Sequence, residues 1–258
     1  MELALQIEKT GKGPALVLLH GWGVNSAVWT QVIDELANDF TVYCIDLPGF
    51  GINHEVVADA SINAWADVIA QTISEPAIWL GWSLGGLIVT QIALDYPDKV
   101  LGTITVASSP KFTEAIDWFG IKPDVMLMFM DQLSQDFSLT LERFLAIQAM
   151  GSEHARKDIN ALKKVLKERP LPKVSSLYDG LCLLNDVDLR DSLHKIKTPF
   201  LRMYGKLDSL VPKKIIPLVD DLSKNSQIYI FDKASHAPFI SHPQEFIEAV
   251  KGFGSIKN

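Results

Sequence analysis

Ser83, Asp208 and His236 are the residues whose types, order and flanks could perform covalent chemistry. Ser83 is the centre of Gly81-Trp82-Ser83-Leu84-Gly85, between the apolar run Ala77 to Leu80 and the helix-like run Leu87 to Leu94. Glycine-flanked serine at a strand-to-helix turn is a nucleophile elbow, in which a tight turn lifts the hydroxyl above the start of the helix. The first amides of a helix have no partners within it and can stabilise negative charge there. A serine hydroxyl attacks only when a base takes its proton, and histidine titrates in the right range. A carboxylate must then hold the imidazole tautomer and stabilise the imidazolium. Asp208 follows the apolar run Phe200 to Tyr204, and His236 follows Gln227 to Phe231, which gives the order Ser, Asp, His.

The tetrahedral intermediate of acyl transfer needs amides aimed at its oxyanion, and losing one such donor raises the barrier by about 3–4 kcal/mol. One amide is expected from Leu84, directly after the nucleophile, and one from Trp22 in His20-Gly21-Trp22-Gly23. The Trp22 indole has two open readings, as a wall of the acyl pocket or as ordinary packing. His20 lies on a different loop and reads as a brace of its turn. Asp46, in Asp46-Leu47-Pro48-Gly49-Phe50-Gly51, reads as a turn device, and Ser108 and Ser109 as polar turn residues. The chemistry is two-step acyl transfer on an ester, with a catalytically silent binding module as the alternative from another class.

Near-continuous apolar runs at 15–19, 41–45, 77–80, 102–107, 199–204 and 227–231 are what strands buried on both faces require. Helix-length segments such as Ala27 to Ala37 and Ile62 to Ile73 separate them, so crossover units and a doubly wound, mostly parallel sheet are expected. An antiparallel edge strand is expected within Leu3 to Lys9. The alternation stops between about Lys111 and Asp188, where four helices are read at 123–133, 139–150, 154–167 and 175–184. The fold class is therefore α/β, with a core of residues 1–110 and 189–258 and a helical cap inserted at 111–188. In open α/β sheets functional residues collect beyond the strands' carboxyl ends, which brings all three loops to one crevice.

The 258 residues suit one α/β domain with an insertion. Hydrophobic residues make up 48% and charged residues 21%, enough for a large core, and the net charge of −7 argues against nucleic acid as a general partner. Cys44 and Cys182 lie in apolar surroundings and read as buried thiols, not a disulfide. No apolar run reaches the ~20 residues of a membrane helix, and Met1 to Gln6 lacks a leader pattern, so a cytoplasmic monomer is expected. Neither a metal-ligand cluster nor a phosphate-cradling loop is evident, so no cofactor and no metal are expected.

From Leu139 to Lys173 the cap carries eight basic and four acidic residues, an excess of +4 in an acidic chain. Arg156, Lys163 and Lys167 fall on one helical arc. That face is either solvated or a dock for an acidic partner. Met126, Met128, Phe129, Phe144 and Ile147 line an acyl channel or fill the cap's own core.

On these residues the chain resembles the pimeloyl-[acyl-carrier protein] methyl ester esterases of bacterial biotin synthesis, within the α/β-hydrolase superfamily. The resemblance covers essentially the whole chain. It rests on His20-Gly21-Trp22-Gly23, Asp46 to Gly51, Trp79 to Gly86, Val106 to Pro110, Glu142-Arg143-Phe144-Leu145-Ala146 and His236 to Pro243. The cap piece and the stretch after His236 are its most specific parts. It implies an α/β-hydrolase fold and hydrolysis of a methyl ester carried on acyl carrier protein, with Ser83, Asp208 and His236 as the triad. It implies further that Trp22, Leu84 and the segment Phe144, Leu145, Ala146, Ile147 and Gln148 touch substrate, and that Arg143, Arg156 and Lys163 face the carrier protein. Leu139 and Asn160 stand where further basic residues would fit. A general short-chain esterase or thioesterase is the alternative within enzymes.

Overall fold

The computed structural model describes residues 4–152 and 155–254. Glu153 and His154, read from sequence as part of the cap, lie outside these, as does Leu3, the first residue of the expected edge-strand segment. The chain forms β1 (Ile7–Gly11), β2 (Ala15–Leu19), α1 (Thr30–Leu36), β3 (Thr41–Ile45), α2 (Ile62–Thr72), β4 (Ala77–Trp82), α3 (Leu84–Asp95) and β5 (Val100–Val106). Four helices follow: α4 (Pro123–Gln135), α5 (Phe137–Gln148), α6 (Ala155–Leu166) and α7 (Val174–Asp186). Then come β6 (Phe200–Gly205), α8 (Ile216–Leu222), β7 (Gln227–Phe231), α9 (Pro238–Ser241) and α10 (Pro243–Gly254).

The seven strands form one sheet in the order β1-β3-β2-β4-β5-β6-β7. All neighbours are parallel except β1, which pairs antiparallel with β3 from Ile7 opposite Ile45 to Gly11 opposite Thr41. This strand sits further along the chain than the segment expected from sequence. Its residues are mostly exposed, so no apolar pattern marks its ends. The inner strands are buried on both faces because successive side chains alternate sides. Val17, Leu19, Tyr43, Ile45 and Trp79 join the core under α2, α3 and the inserted helices. Leu16, Leu18, Val42, Cys44, Ile78, Leu80 and Trp82 join the opposite core with α1, α9 and α10.

The helix expected at 27–37 starts instead as a 3₁₀ turn at Ser26–Trp29, which continues into α1. Asn25 caps it by accepting from the Ala27 amide at 3.1 Å. Its side-chain amide donates across to the Val165 carbonyl in the last turn of α6, so one residue starts a core helix and holds the inserted layer. Cys44 is buried, which pushes its thiol up to about 12. Cys182 is only half-buried on α7, a correction to the expectation of two buried thiols: its side of the helix faces partly outward, which its apolar neighbours in sequence do not reveal.

His20 and Asp46 brace the loops at the carboxyl ends of β2 and β3. The Leu47 amide donates to His20 Nε2 at 3.0 Å, which leaves Nδ1 to donate to the Gly21 carbonyl at 2.8 Å. Asp46 accepts from the Ser26 and Ile52 amides at 2.5 and 2.8 Å. Burial holds the His20 imidazole below its ordinary value of 6.5, although the Asp46 carboxylate opposes this. The unfolded chain therefore takes up a proton at 6.5 that the folded chain refuses, and stability falls as pH falls below that value. Thermal unfolding should show Tm dropping between about pH 7 and about pH 5, with a shallower slope in His20→Gln.

Candidate active site

β4 ends at Trp82 and α3 starts at Leu84, so Ser83 alone must turn the chain from strand to helix. It does so at φ +53° and ψ −116°, a region that costs a non-glycine residue about 1–3 kcal/mol. The strain is held by close packing. A Cβ on Gly81 would lie 2.1 Å from the Gly85 carbonyl oxygen, so strand and helix meet here only without a side chain. The Ser83 amide donates to the Val106 carbonyl at 2.9 Å, and the Ser108 hydroxyl donates to the Ser83 carbonyl at 2.8 Å.

The loops after β6 and β7 bring the other two residues to Ser83. His236 Nδ1 donates to Asp208 Oδ2 at 2.7 Å. That fixes the tautomer, and Nε2 accepts from the Ser83 hydroxyl at 2.9 Å. Asp208 is held in turn, its other oxygen accepting from the Leu210 and Val211 amides at 2.8 and 3.0 Å. All three side chains are buried, Ser83 at 2% exposure and His236 at 0%. In such a setting charge on the imidazole and the oxyanion is weakly screened. This arrangement can pass a proton from hydroxyl to imidazole during attack on a carbonyl, and return it to a leaving alcohol.

Leu84 opens α3, so its amide has no partner within that helix. Trp22 lies on the loop after β2, fully buried. Its indole donates to the Leu177 carbonyl at 2.7 Å and meets the Phe144 ring edge-on at 4.6 Å, so it both packs and ties α7 to the core. Gly180 of α7 packs directly on this corner: a Cβ there would lie 2.7 Å from the Trp22 ring and 3.3 Å from the Leu84 side chain. On α5, Phe144, Leu145 and Gln148 are buried and Ile147 is half-buried. The Gln148 carbonyl accepts from the His236 amide at 3.2 Å, and its side-chain amide is buried with neither Nε2 nor Oε1 hydrogen-bonded.

Ala146 is not brought to the site. Two residues turn a helix by about 200°, which sets it opposite Phe144 on the exposed side of α5. Met128 is 46% exposed, so it does not line a channel, whereas Met126 and Phe129 are buried. Arg143 and Arg156 are exposed, and Arg143 donates to Gln132 at 2.8 Å. Lys163 is ion-paired with Glu142 of α5 at 3.0 Å, so its charge is partly offset. Two residues at the site were not marked by sequence reasoning. Ser108 braces the elbow through its hydroxyl, and the Trp82 indole donates to the His236 carbonyl at 2.7 Å. Only the position of Ser108 at the end of a neighbouring strand pointed to it, and nothing in the sequence pointed to the Trp82 bond.

Among the described residues no cluster of three or more His, Cys, Asp or Glu could hold a metal, and no helix is long and apolar enough to cross a membrane. Residues 14–243 match the family described as alpha/beta hydrolase fold. The chain is 50% identical over 253 residues to the pimeloyl-[acyl-carrier protein] methyl ester esterase of Aeromonas hydrophila subsp. hydrophila, covering 97% of this chain and 99% of that one. Among solved structures it is similar to the esterase EaEST from Exiguobacterium antarcticum, with a TM-score of 0.86 at 23% identity over 97% of this chain and 95% of that one. A bromoperoxidase from Bacillus anthracis gives the same TM-score at 18% identity and the same coverage of both chains, so these two likenesses speak for the fold alone. A serine at a strained elbow, the imidazole and carboxylate beside it, and half-identity along nearly the whole length agree: the chain belongs to the α/β-hydrolase fold family and, within it, to the pimeloyl-[acyl-carrier protein] methyl ester esterases.

Proposed function

We propose that this protein is a serine carboxylesterase that hydrolyses the methyl ester of pimeloyl-[acyl-carrier protein] to the free acid and methanol. The observation that carries the reading is the buried relay from Ser83 through His236 to Asp208, at 2.9 and 2.7 Å. Ser83 attacks the ester carbonyl while His236 takes its proton, and the amides of Leu84 and Trp22 receive the oxyanion. His236 then protonates the departing methanol. Water, deprotonated by the same imidazole, attacks the acyl-serine and frees the acid, with Asp208 stabilising the imidazolium in both halves. Phe144, Leu145, Ile147 and Gln148 wall the acyl chain.

In this reading residues 1–110 and 189–258 form the catalytic core, and 111–188 form a cap that carries the partner surface. Arg143, Arg156 and Lys163 face an acidic carrier. Support comes from the excess of positive charge in this segment and from a groove of about 630 Å³ between α5 and the end of α6. Its floor includes Leu141, Leu145 and Leu166, with Lys163 and Lys167 on its rim. The protein works as a cytoplasmic monomer, a setting that suits its free thiols. A carrier-independent short-chain esterase is the second reading. The pairing of Lys163 with Glu142 favours it, as do exposed Leu139 and Asn160 at positions where more cations would fit.

Ser83→Ala should fold with an unchanged Tm and lose ester hydrolysis by a factor of about 10⁴ or more, read with p-nitrophenyl butyrate. Turnover within tenfold of the parent would refute the serine as nucleophile. Reversing Arg143 and Arg156 to glutamate should raise KM for the carrier-bound methyl ester roughly tenfold and flatten its salt dependence. An equal effect on a small free ester would favour the second reading.

A further inference from the structure

The two residues that end β4 and open the elbow are adjacent in the chain, and each grips His236. Ser83 meets its imidazole at 2.9 Å. Trp82, fully buried, reaches the opposite sheet face and donates its indole N–H to the His236 carbonyl at 2.7 Å. The Trp82 ring also lies 5.7 Å from the imidazole and meets Phe239 of α9 edge-on at 5.0 Å, so the indole is itself locked. The amide of His236 is held from the other side by the Gln148 carbonyl at the end of α5. Both backbone groups of residue 236 are thus fixed by partners far away in sequence, one in the elbow and one in the cap.

These bonds matter because the loop from Asp232 to Ala237 has no regular structure to hold it. A shift of this backbone would carry Nε2 away from Ser83, and a displacement of about 1 Å can cost a factor of about 10² in rate. Resting on the serine relay described above, we infer that Trp82 is a positioning residue: its N–H, through the His236 carbonyl, sets the distance over which the proton moves. Nucleophile and base then share one covalent anchor, and motion of the end of β4 carries both together. Without the N–H, a buried carbonyl lacks its partner and the loop shifts to find one.

The test is Trp82→Phe together with replacement of residue 82 by 3-benzothienylalanine, which keeps the bicyclic shape and puts sulfur where the N–H was. The assay uses p-nitrophenyl butyrate, with active sites counted by an organophosphonate. Both variants should lose kcat by roughly ten- to a hundred-fold, with KM altered less than about twofold and phosphonate inactivation slowed in proportion. A purely structural tryptophan predicts something else: the benzothienyl protein would match the parent in kcat per titrated site, and that result would overturn the inference even if Trp82→Phe fails to fold. Ser83→Ala, assayed beside them, separates the two failures. If it keeps turnover, the serine reading falls and takes this inference with it. If it is inactive while the benzothienyl protein is as fast as the parent, only the role of Trp82 falls.

Discussion

The 2.9 Å contact between Ser83 and His236 joins residues 153 apart in sequence, and nothing local to either could maintain it. It exists because β4 and β7 lie in one parallel sheet, so that their carboxyl ends share an edge. It also needs a serine in a backbone conformation that few residues adopt, at about 1–3 kcal/mol. The surrounding glycines, the Val106 carbonyl and the Ser108 hydroxyl hold that conformation from three sides. The strained turn is thus the place where the packing of the whole sheet is converted into the position of one oxygen atom.

Burial then decides how strongly that oxygen and its partners interact. Ser83, Asp208 and His236 are all buried, and α7 presses onto Trp22 and Leu84 through Gly180. The imidazole is fully buried, and a charge on it is countered by the fixed Asp208 carboxylate at 2.7 Å in weakly screened surroundings. The Gln148 side chain is also buried, and its amide has no such partner. A buried amide without hydrogen-bond partners is costly in a folded protein.

How much of this could be read from the chain depended on whether a residue's role follows from its neighbours in sequence. The inner strands were legible because burial on both faces demands unbroken apolar runs, and the starts of β2, β3 and β7 were read to the residue. β1 was not, since an exposed edge strand carries no such run. Ser83, Asp208 and His236 were legible as a set because each follows a strand, so topology brings them together. Trp82 was opaque: it is simply the variable residue of its motif, and its bond to residue 236 depends on a loop conformation no pattern encodes. Ala146 was placed at the site by resemblance of a segment, whereas helical geometry puts only some members of that segment inside. Lys163 looked like one charge in a basic run, and only the packing of α5 on α6 reveals its acidic mate.

Several of the hydrogen bonds that fasten the inserted helices to the core share a chemical asymmetry, although Arg169 and Lys173 also reach back to Glu8 and Glu55. Trp22, Asn25 and Ser235 each donate from the core side to a main-chain oxygen of the layer above, at Leu177, Val165 and Met150, and His236 does the same at Gln148. Main-chain oxygens survive any substitution. Substitution of the side chains at these positions of the layer therefore leaves these bonds intact, and what the layer presents there can change over an unchanged reaction centre. A scaffold latched in this way is built for diversification of what it accepts, and conservative in how it reacts.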